Sequence, residues 1–213
     1  MCSSDLELYD LGYAGAGSSN IAVGFENLSR ATAEGWMNDS DQANIDKAGH
    51  RRWVLYPRLK YVGFGEAGKY MAMYAHDMSR EGLFAGDYVA WPAPNTPVEL
   101  FDGSVFSVSL GYAYDDPAQD KVSVEVSSET LHKHWTVSQA RPYRGFAVNN
   151  VGYGLPKCII FKVTDFSKAD TIHVKITGLT KNGVDAPIEY TVNLFSASEM
   201  QAPQKLFVMR PYW

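Results

Sequence analysis

Residues 44–65, NIDKAGHRRWVLYPRLKYVGFG, set an imidazole (His50), two guanidiniums (Arg51 and Arg52) and an indole (Trp53) side by side, just ahead of an extended run. Pro57 ends any helix that carries His50, because its ring fixes φ and removes an amide donor; His50 is therefore expected at a helix-to-strand corner. Such corners hold functional side chains and equally hold histidines that only anchor backbone. No short motif with a catalytic mechanism surrounds His50, so residue chemistry by itself favours the anchoring role.

Upstream, Asn27 is placed to cap a helix running to about Ser40, with Leu28, Ala31, Thr32, Gly35 and Trp36 near helical spacing. Trp36 and Asp39, three residues apart, then share a face, which turns the carboxylate toward whatever the indole packs on. Asp39, Asp41 and Asp46 make a loose acidic cluster. Asn38-Asp39-Ser40-Asp41 lacks the glycine and terminal glutamate of an EF-hand and does not read as a calcium loop. Residues 13–19, YAGAGSS, lack the third glycine of a dinucleotide fingerprint, the Gly-Lys-Ser/Thr of a phosphate loop and the spacing of a nucleophile elbow; they read as a plain loop.

Downstream, residues 59–65 and 70–77 are expected to form two strands joined by a hairpin turn at Glu66-Ala67-Gly68-Lys69. The second, YMAMYAHD, is apolar on both faces, as in a strand covered on each side, and His76 closes it as a core or strand-end histidine. Residues 89–97, VAWPAPNTP, carry three prolines and mark an extended connector. Beyond it the period falls to two: Phe106, Val108 and Leu110 alternate with serines, Val122, Val124 and Val126 follow suit, and so do Ile172, Val174 and Ile176 and then Ile188, Tyr190, Val192 and Leu194. With residues 135–137 and 158–163 this makes six or seven short strands, the pattern of an antiparallel β-sandwich with serine and threonine on its wet face. His173 falls on that face. His132 and His134 form an His-x-His pair, which points both rings to one side if the segment is extended, but without a third ligand in sequence range they read as surface histidines. Cys158 reads as a small buried hydrophobe. Residues 197–213 are left open between a docked tail and a linker.

The whole chain sets the bounds. Its 213 residues, 46% hydrophobic and 20% charged, are enough for one large or two small cores. A formal charge of -5 argues against a nucleic-acid surface. Two cysteines, Cys2 and Cys158, are too few for a disulfide framework or a thiolate zinc site. No apolar run approaches the ~20 residues of a membrane-spanning helix, and MCSSDLELYD is not a signal peptide. Cys2-Ser3-Ser4-Asp5-Leu6 is also what the end of a common sequencing adapter encodes in one frame. On that reading the first six residues are a library scar on a truncated gene; otherwise Met1 is a true start.

Ser-Asn-Ile-Ala at 19–22, a helix holding Trp36, Gly49-His50-Arg51-Arg52-Trp53, Pro57 and Gly63-Phe64-Gly65 follow one another in an order that resembles the CAP superfamily (cysteine-rich secretory proteins, antigen 5 and pathogenesis-related 1 proteins), in its cysteine-poor bacterial form. The resemblance covers about residues 17–77. The connector and β-region resemble a recurrent companion of these bacterial domains. What the resemblance implies is an α+β chain: a partial CAP-type α-β-α sandwich over residues 1–90, a Pro-rich connector at 91–98, an antiparallel immunoglobulin-like β-sandwich over 99–196 and a tail at 197–213. It also implies a secreted or surface-associated bacterial protein, with a cleft of two histidines and two acids that in some members binds a divalent metal.

Carried over by position, His50 matches the second histidine and Asp39 the second acid. Ser19 stands in place of the first acid, and the first histidine and opening helix would lie upstream of Met1. His50 and Asp39 are thus the candidates for catalysis and for an incomplete metal site. Zinc wants three or four ligands, so it is expected only with more ligands from a longer chain. Arg51, Arg52 and Trp53 are the candidates for binding an anionic or sugar-containing ligand, against a bland role of salt bridges and core packing. The leading expectation is a non-enzymatic module that binds a cell-surface, cell-wall glycan or lipid ligand. The rivals are a metal-assisted hydrolase using His50 as general base and an architectural spacer.

Overall fold

A computed structural model describes residues 3–82, 84–101, 105–140, 145–163 and 169–199. The chain is a strand-rich α+β protein with several antiparallel sheets. The expected tail lies almost wholly outside the described residues.

The first part opens with helix α1 (Ser3–Gly17) and strand β1 (Ser19–Val23). The expected loop at 13–19 is therefore mostly helix. Ala14 and Ala16 offset the cost of its glycines, the Tyr9 and Tyr13 rings stack one turn apart at 6.3 Å, and the Ser19 hydroxyl closes the end on the Gly15 carbonyl at 2.6 Å. Helix α2 (Leu28–Arg30) is capped as expected, the Asn27 side-chain oxygen accepting the Arg30 amide at 3.0 Å. It runs straight into a π-helical turn, Ala31–Met37, which ends short of Ser40 because Asp39 takes a left-handed backbone at φ 44. Helix α3 (Gly49–Val54) carries the histidine and stops before Pro57, with Gly49 packed so closely on Tyr153 that a Cβ would come within 3.0 Å of its ring. Strands β2 (Gly63–Ala67) and β3 (Tyr70–Tyr74) complete a sheet of order β1-β3-β2.

Both hairpin strands differ from expectation. The Asp77 carboxylate accepts the amides of Lys60 and Tyr61 at 2.8 and 2.9 Å, holding those residues out of the ladder, so β2 starts late and β3 ends early. Nor is β3 covered on both faces. Met71 and Met73 pack with Ala22, Ala31 and Trp36 under the α2 and π-helical segment, while Tyr70 and Tyr74 are exposed beside Ile21 and Val23.

The second part begins earlier than expected. Strands β4 (Tyr88–Trp91) and β5 (Asn95–Pro97) come from the proline-rich stretch and enter two different sheets, so the connector is woven into the sandwich. After α4 (Val98–Phe101) come β6 (Phe106–Leu110), β7 (Ser123–Ser128), β8 (Lys133–Ser138), β9 (Phe146–Asn149) and β10 (Lys157–Phe161). The chain continues with β11 (Asp170–Thr177), the short pair β12 (Thr180–Lys181) and β13 (Val184–Asp185), and β14 (Ile188–Phe195). One sheet has the order β4-β6-β10-β9 and the other β5-β14-β11-β7-β8; among these pairings only β5 with β14 is parallel. Their facing residues, among them Phe106, Val108, Ile159, Phe161, Val124, Trp135, Ile172 and Val192, form one apolar cluster. Every expected alternating segment became a strand. At the turn after β11, Gly178 takes φ +78 where a Cβ would sit 2.0 Å from the Lys121 carbonyl oxygen, so only glycine fits.

The wet face of this sandwich is on one sheet only. Ser107 and Ser109, expected in solvent, are buried, because Ile45, Ala48 and α3 cover the outer face of β6 and β10 and pack with Val105, Ala147, Cys158 and Ile160. Cys158 is fully buried there, as expected.

Two consecutive arginines of α3 tie this seam. Arg51, with no exposed surface, donates to the carbonyls of Met37 (2.5 Å), Asn38 and Val105 (2.8 Å) and to the Ser107 hydroxyl (3.2 Å). Arg52 donates to the carbonyls of Val151 (2.8 Å) and Leu155 (2.7 Å) and to the Asn149 side-chain oxygen (3.0 Å), with its guanidinium 5.1 Å from the Tyr153 ring centre. Burial draws Arg51 down to about 10 and lowers Arg52 as well; Arg51 stays charged at neutral pH. Replacing Arg51 by Ala leaves three backbone acceptors, that of Val105 buried and those of Met37 and Asn38 part-buried, without this donor. The expected loss is about 3 kcal/mol or more. Urea unfolding followed by tryptophan fluorescence and by far-UV circular dichroism checks this: coincident transitions in the parent should separate in the variant as the two parts uncouple.

Candidate functional site

Asp39 and His50 come from the two ends of the acidic loop and meet. The loop leaves the π-helical turn at Asp39 (φ 44) and enters α3 at Ala48 (φ 47), two left-handed residues that fold it back on itself. His50 Nδ1 lies 2.9 Å from Asp39 Oδ1, and the other carboxylate oxygen accepts the Arg51 amide at 3.3 Å. The acid is wholly buried, whereas the imidazole keeps 32% of its side-chain surface exposed. From β1, the buried Asn20 donates to the His50 carbonyl at 3.0 Å and fixes the helix against the sheet. The hydrogen bond from His50 Nδ1 to Asp39 raises the His50 pKa above its ordinary value, against an opposing effect of burial, and the charges of Asp39 and Asp41 add to the rise.

His50 opens onto a cleft of about 430 Å³. Its lining mixes apolar residues, among them Phe25 and Trp36, with polar ones, Glu34, Asp41 and Asn44, and runs along β1 at residues 21–23. Asp41 accepts the Ala43 amide and the Asn44 side-chain amide, so the lower acidic loop is held by its own turn and its carboxylate is stabilised below the ordinary range, chiefly by Asn44.

The position-by-position expectations fare unequally. Asp39 and His50 are brought together, but as a hydrogen-bonded pair whose oxygens are already engaged. Among the described residues no group of three or more His, Cys, Asp or Glu side chains is arranged to hold a metal, so the residues present do not fit a zinc ion. Ser19, standing where the resemblance would put an acid, is taken up by the end of α1. Arg51 and Arg52, expected to face a ligand, are buried with their donors on backbone oxygens. Nor do they make salt bridges to the acidic helix; their donors go to main-chain carbonyls, which suit a rigid guanidinium fork. Trp53 is half-buried, 4.0 Å from the His76 ring and edge-on to Tyr56 at 5.6 Å. Burial lowers the His76 pKa, as fits a packing histidine.

On the sandwich, His173 is on the exposed face as expected, with Nε2 2.7 Å from Glu129 and Nδ1 3.1 Å from the Thr191 hydroxyl. His132 takes φ 51 ahead of β8, which breaks the extended geometry that an His-x-His chelate needs. His134 and His173 share a shallow polar depression with Glu125, Lys175 and Glu189. Sequence reasoning passed over the role of Asn20 and the part that residues 21–23 and Phe25 take in the cleft. The alternation in SNIAV is the signal that a strand lies there, with Ile21 and Val23 on one side.

No protein-family model matches the chain, and no curated protein matches it.

Because the folded pKa of His50 is raised, its protonation contributes stability that is fully present below the unfolded value of 6.5 and is lost as pH rises through the folded value. Asp39→Asn is expected to return the His50 midpoint toward the ordinary range and to flatten the pH dependence of stability above 6.5. Ring-proton NMR titration of His50 reads the first, and chemical denaturation at several pH values reads the second. An unmoved midpoint would mean that the pair does not form in solution.

Proposed function

We propose that this chain is a partial CAP-type domain joined to an immunoglobulin-like β-sandwich, and that it acts as a non-enzymatic binding module of a secreted or surface-associated bacterial protein. The ligand class is a cell-surface glycan or lipid. What supports the first part is order: a helical segment with a buried Trp36, the helix carrying His50 and a strand entered at Gly63 follow one another in the order the resemblance gives, beside a small antiparallel sheet. What supports the second part is two antiparallel sheets sharing one core.

The observation that carries the binding reading is the cleft beside His50. Its volume suits a small molecule or one end of a larger one, and its lining combines apolar and hydrogen-bonding side chains. An amphipathic ligand fits that mixture: a sugar ring or acyl chain rests on Phe25 and along β1 while a polar group meets His50 Nε2, which has no hydrogen-bond partner among the described residues. This moves the expected contact away from Arg51 and Arg52, whose donors are already used. NMR shift mapping against cell-wall glycans, lipids and sterols tests it. Binding is expected to perturb residues 21–25 and 50, and His50→Ala should weaken it about tenfold while keeping the fold. A ligand that binds with unchanged affinity after His50→Ala, or no ligand at all, removes the reading; lost stability without lost binding favours the spacer.

Hydrolysis by His50 has one observation in its favour. A buried carboxylate on Nδ1 sets the tautomer that leaves Nε2 as a base. Turnover of ester or peptide substrates that vanishes in His50→Ala would support it.

A further inference from the structure

We propose that helix α1 is exchanged between two copies of this chain, the α1 of each lying on the outer face of the other's β1-β3-β2 sheet. Residues 6–14 of the helix are all exposed, and Leu8, Tyr9, Leu11 and Tyr13 stand between 67% and 74% in solvent. Leu8 and Leu11 lie three residues apart on one side of it, and Tyr9 and Tyr13 lie four apart on another. A helix apolar round so much of its girth is ordinarily a buried one. The sheet presents the matching surface. Cross-strand partners share a face, so Ile21, Ala72 and Gly65 form one row and Val23, Tyr70 and Ala67 the next, opposite the side on which Met71 and Met73 enter the core. Ile21, Val23, Tyr70 and Tyr74 are exposed there, and a sheet face of that character calls for a second layer.

The junction keeps the helix from covering the sheet of its own chain. Only Ser18 separates α1 from β1, where a helix that turns back over the next strand uses about 2–6 residues. That residue is also fixed in place. Its amide donates to the Gly15 carbonyl at 3.2 Å, its carbonyl accepts the amides of Ala75 and His76 at 3.1 and 3.2 Å, and the Ser19 hydroxyl adds a bond to Gly15 at 2.6 Å. The helix is thus held out into solvent, where a second copy brings both the face it needs and a helix for the face it leaves open.

Length, charge and area agree with that occupant. The helix is about 22 Å long and a five-residue strand about 17 Å, so α1 spans the face. It carries Glu7 and Asp10 and has no Lys or Arg. The outer face has no charged residue, and at its rim Lys69 holds its ammonium 5.5 Å from the Tyr70 ring centre, so an acidic helix meets a basic rim. Taking ~200 Å² for a large side chain when fully exposed, the leucines, tyrosines, Ile21 and Val23 named above leave on the order of 900 Å² of apolar surface open in each copy. Burying most of it in two reciprocal contacts reaches the ~1,600 Å² of a stable, specific pair, and a two-fold axis makes every contact occur twice.

Sedimentation velocity on the whole chain across the micromolar range tests this, with a reversible dimer expected. Leu11→Lys on the helix and Tyr70→Glu on the sheet should each weaken the dimer about tenfold or more. Mixed in equal amounts, the two variants should dimerise again: one contact then joins an intact helix to an intact face, and the other sets Lys against Glu. Both positions are exposed, and far-UV circular dichroism verifies that the variants keep their fold. A monomer at all concentrations, a dimer that tolerates either substitution, or a mixture no heavier than its parts each overturns the proposal. Loss with Leu11→Lys alone would mean that the helices pair with each other, which overturns it as well.

Discussion

Two adjacent guanidiniums hold the layers of this protein in place. Successive residues of a helix point about 100° apart, so Arg51 and Arg52 reach different structures from the same short helix. Arg51 gathers the end of the π-helical turn and the start of β6, and Arg52 gathers the segment between β9 and β10. A guanidinium has five donors and no acceptor, so backbone carbonyls that end helices and strands suit it well. The cost of burying each charge is offset only because nearly every donor finds an oxygen, which makes the seam intolerant of any shift in α3. Through α3 the same restraint reaches His50, one residue upstream.

The Asp39–His50 pair depends on that arrangement in a simple way. Asp39 is buried, and its second oxygen takes the amide of Arg51, so the acid, the imidazole and the arginine are three connected parts of one corner. Asn20 closes the corner from the sheet side by binding the His50 carbonyl. The cleft therefore has one rigid wall, built of buried hydrogen bonds. Strand β1 borders it at residues 21–23.

The legible parts of the fold were those written in a period. Alternation over residues 106–110, 122–126, 172–176 and 188–194 identified strands because a strand in a one-sided sheet must alternate. The same rule misled at Ser107 and Ser109: alternation reports two unlike faces, and it cannot tell that a third layer will cover the polar one. Residues 13–17 were misread for a related reason. Glycine weakens a helix without forbidding one, and the alanines between decided the outcome. Proline signals an extended chain, which residues 88–97 are, but it says nothing of whether that chain joins a sheet. At the site, Trp36, Asp39 and His50 could be singled out by type and spacing. The role of Arg51 and Arg52 could not, since their partners are main-chain oxygens, and every residue has one.

The placement of Cys158 turns the seam into something that can be timed. Its sulfur lies among Ala48, Val105, Ala147 and Ile160, where the two parts of the molecule press together, and burial raises its pKa. A thiol in that position reacts only while the layers stand apart. With Cys2 the chain's only other cysteine, a chain carrying Ser in place of Cys2 has one chemical clock, and it counts how often α3 lifts from the sandwich.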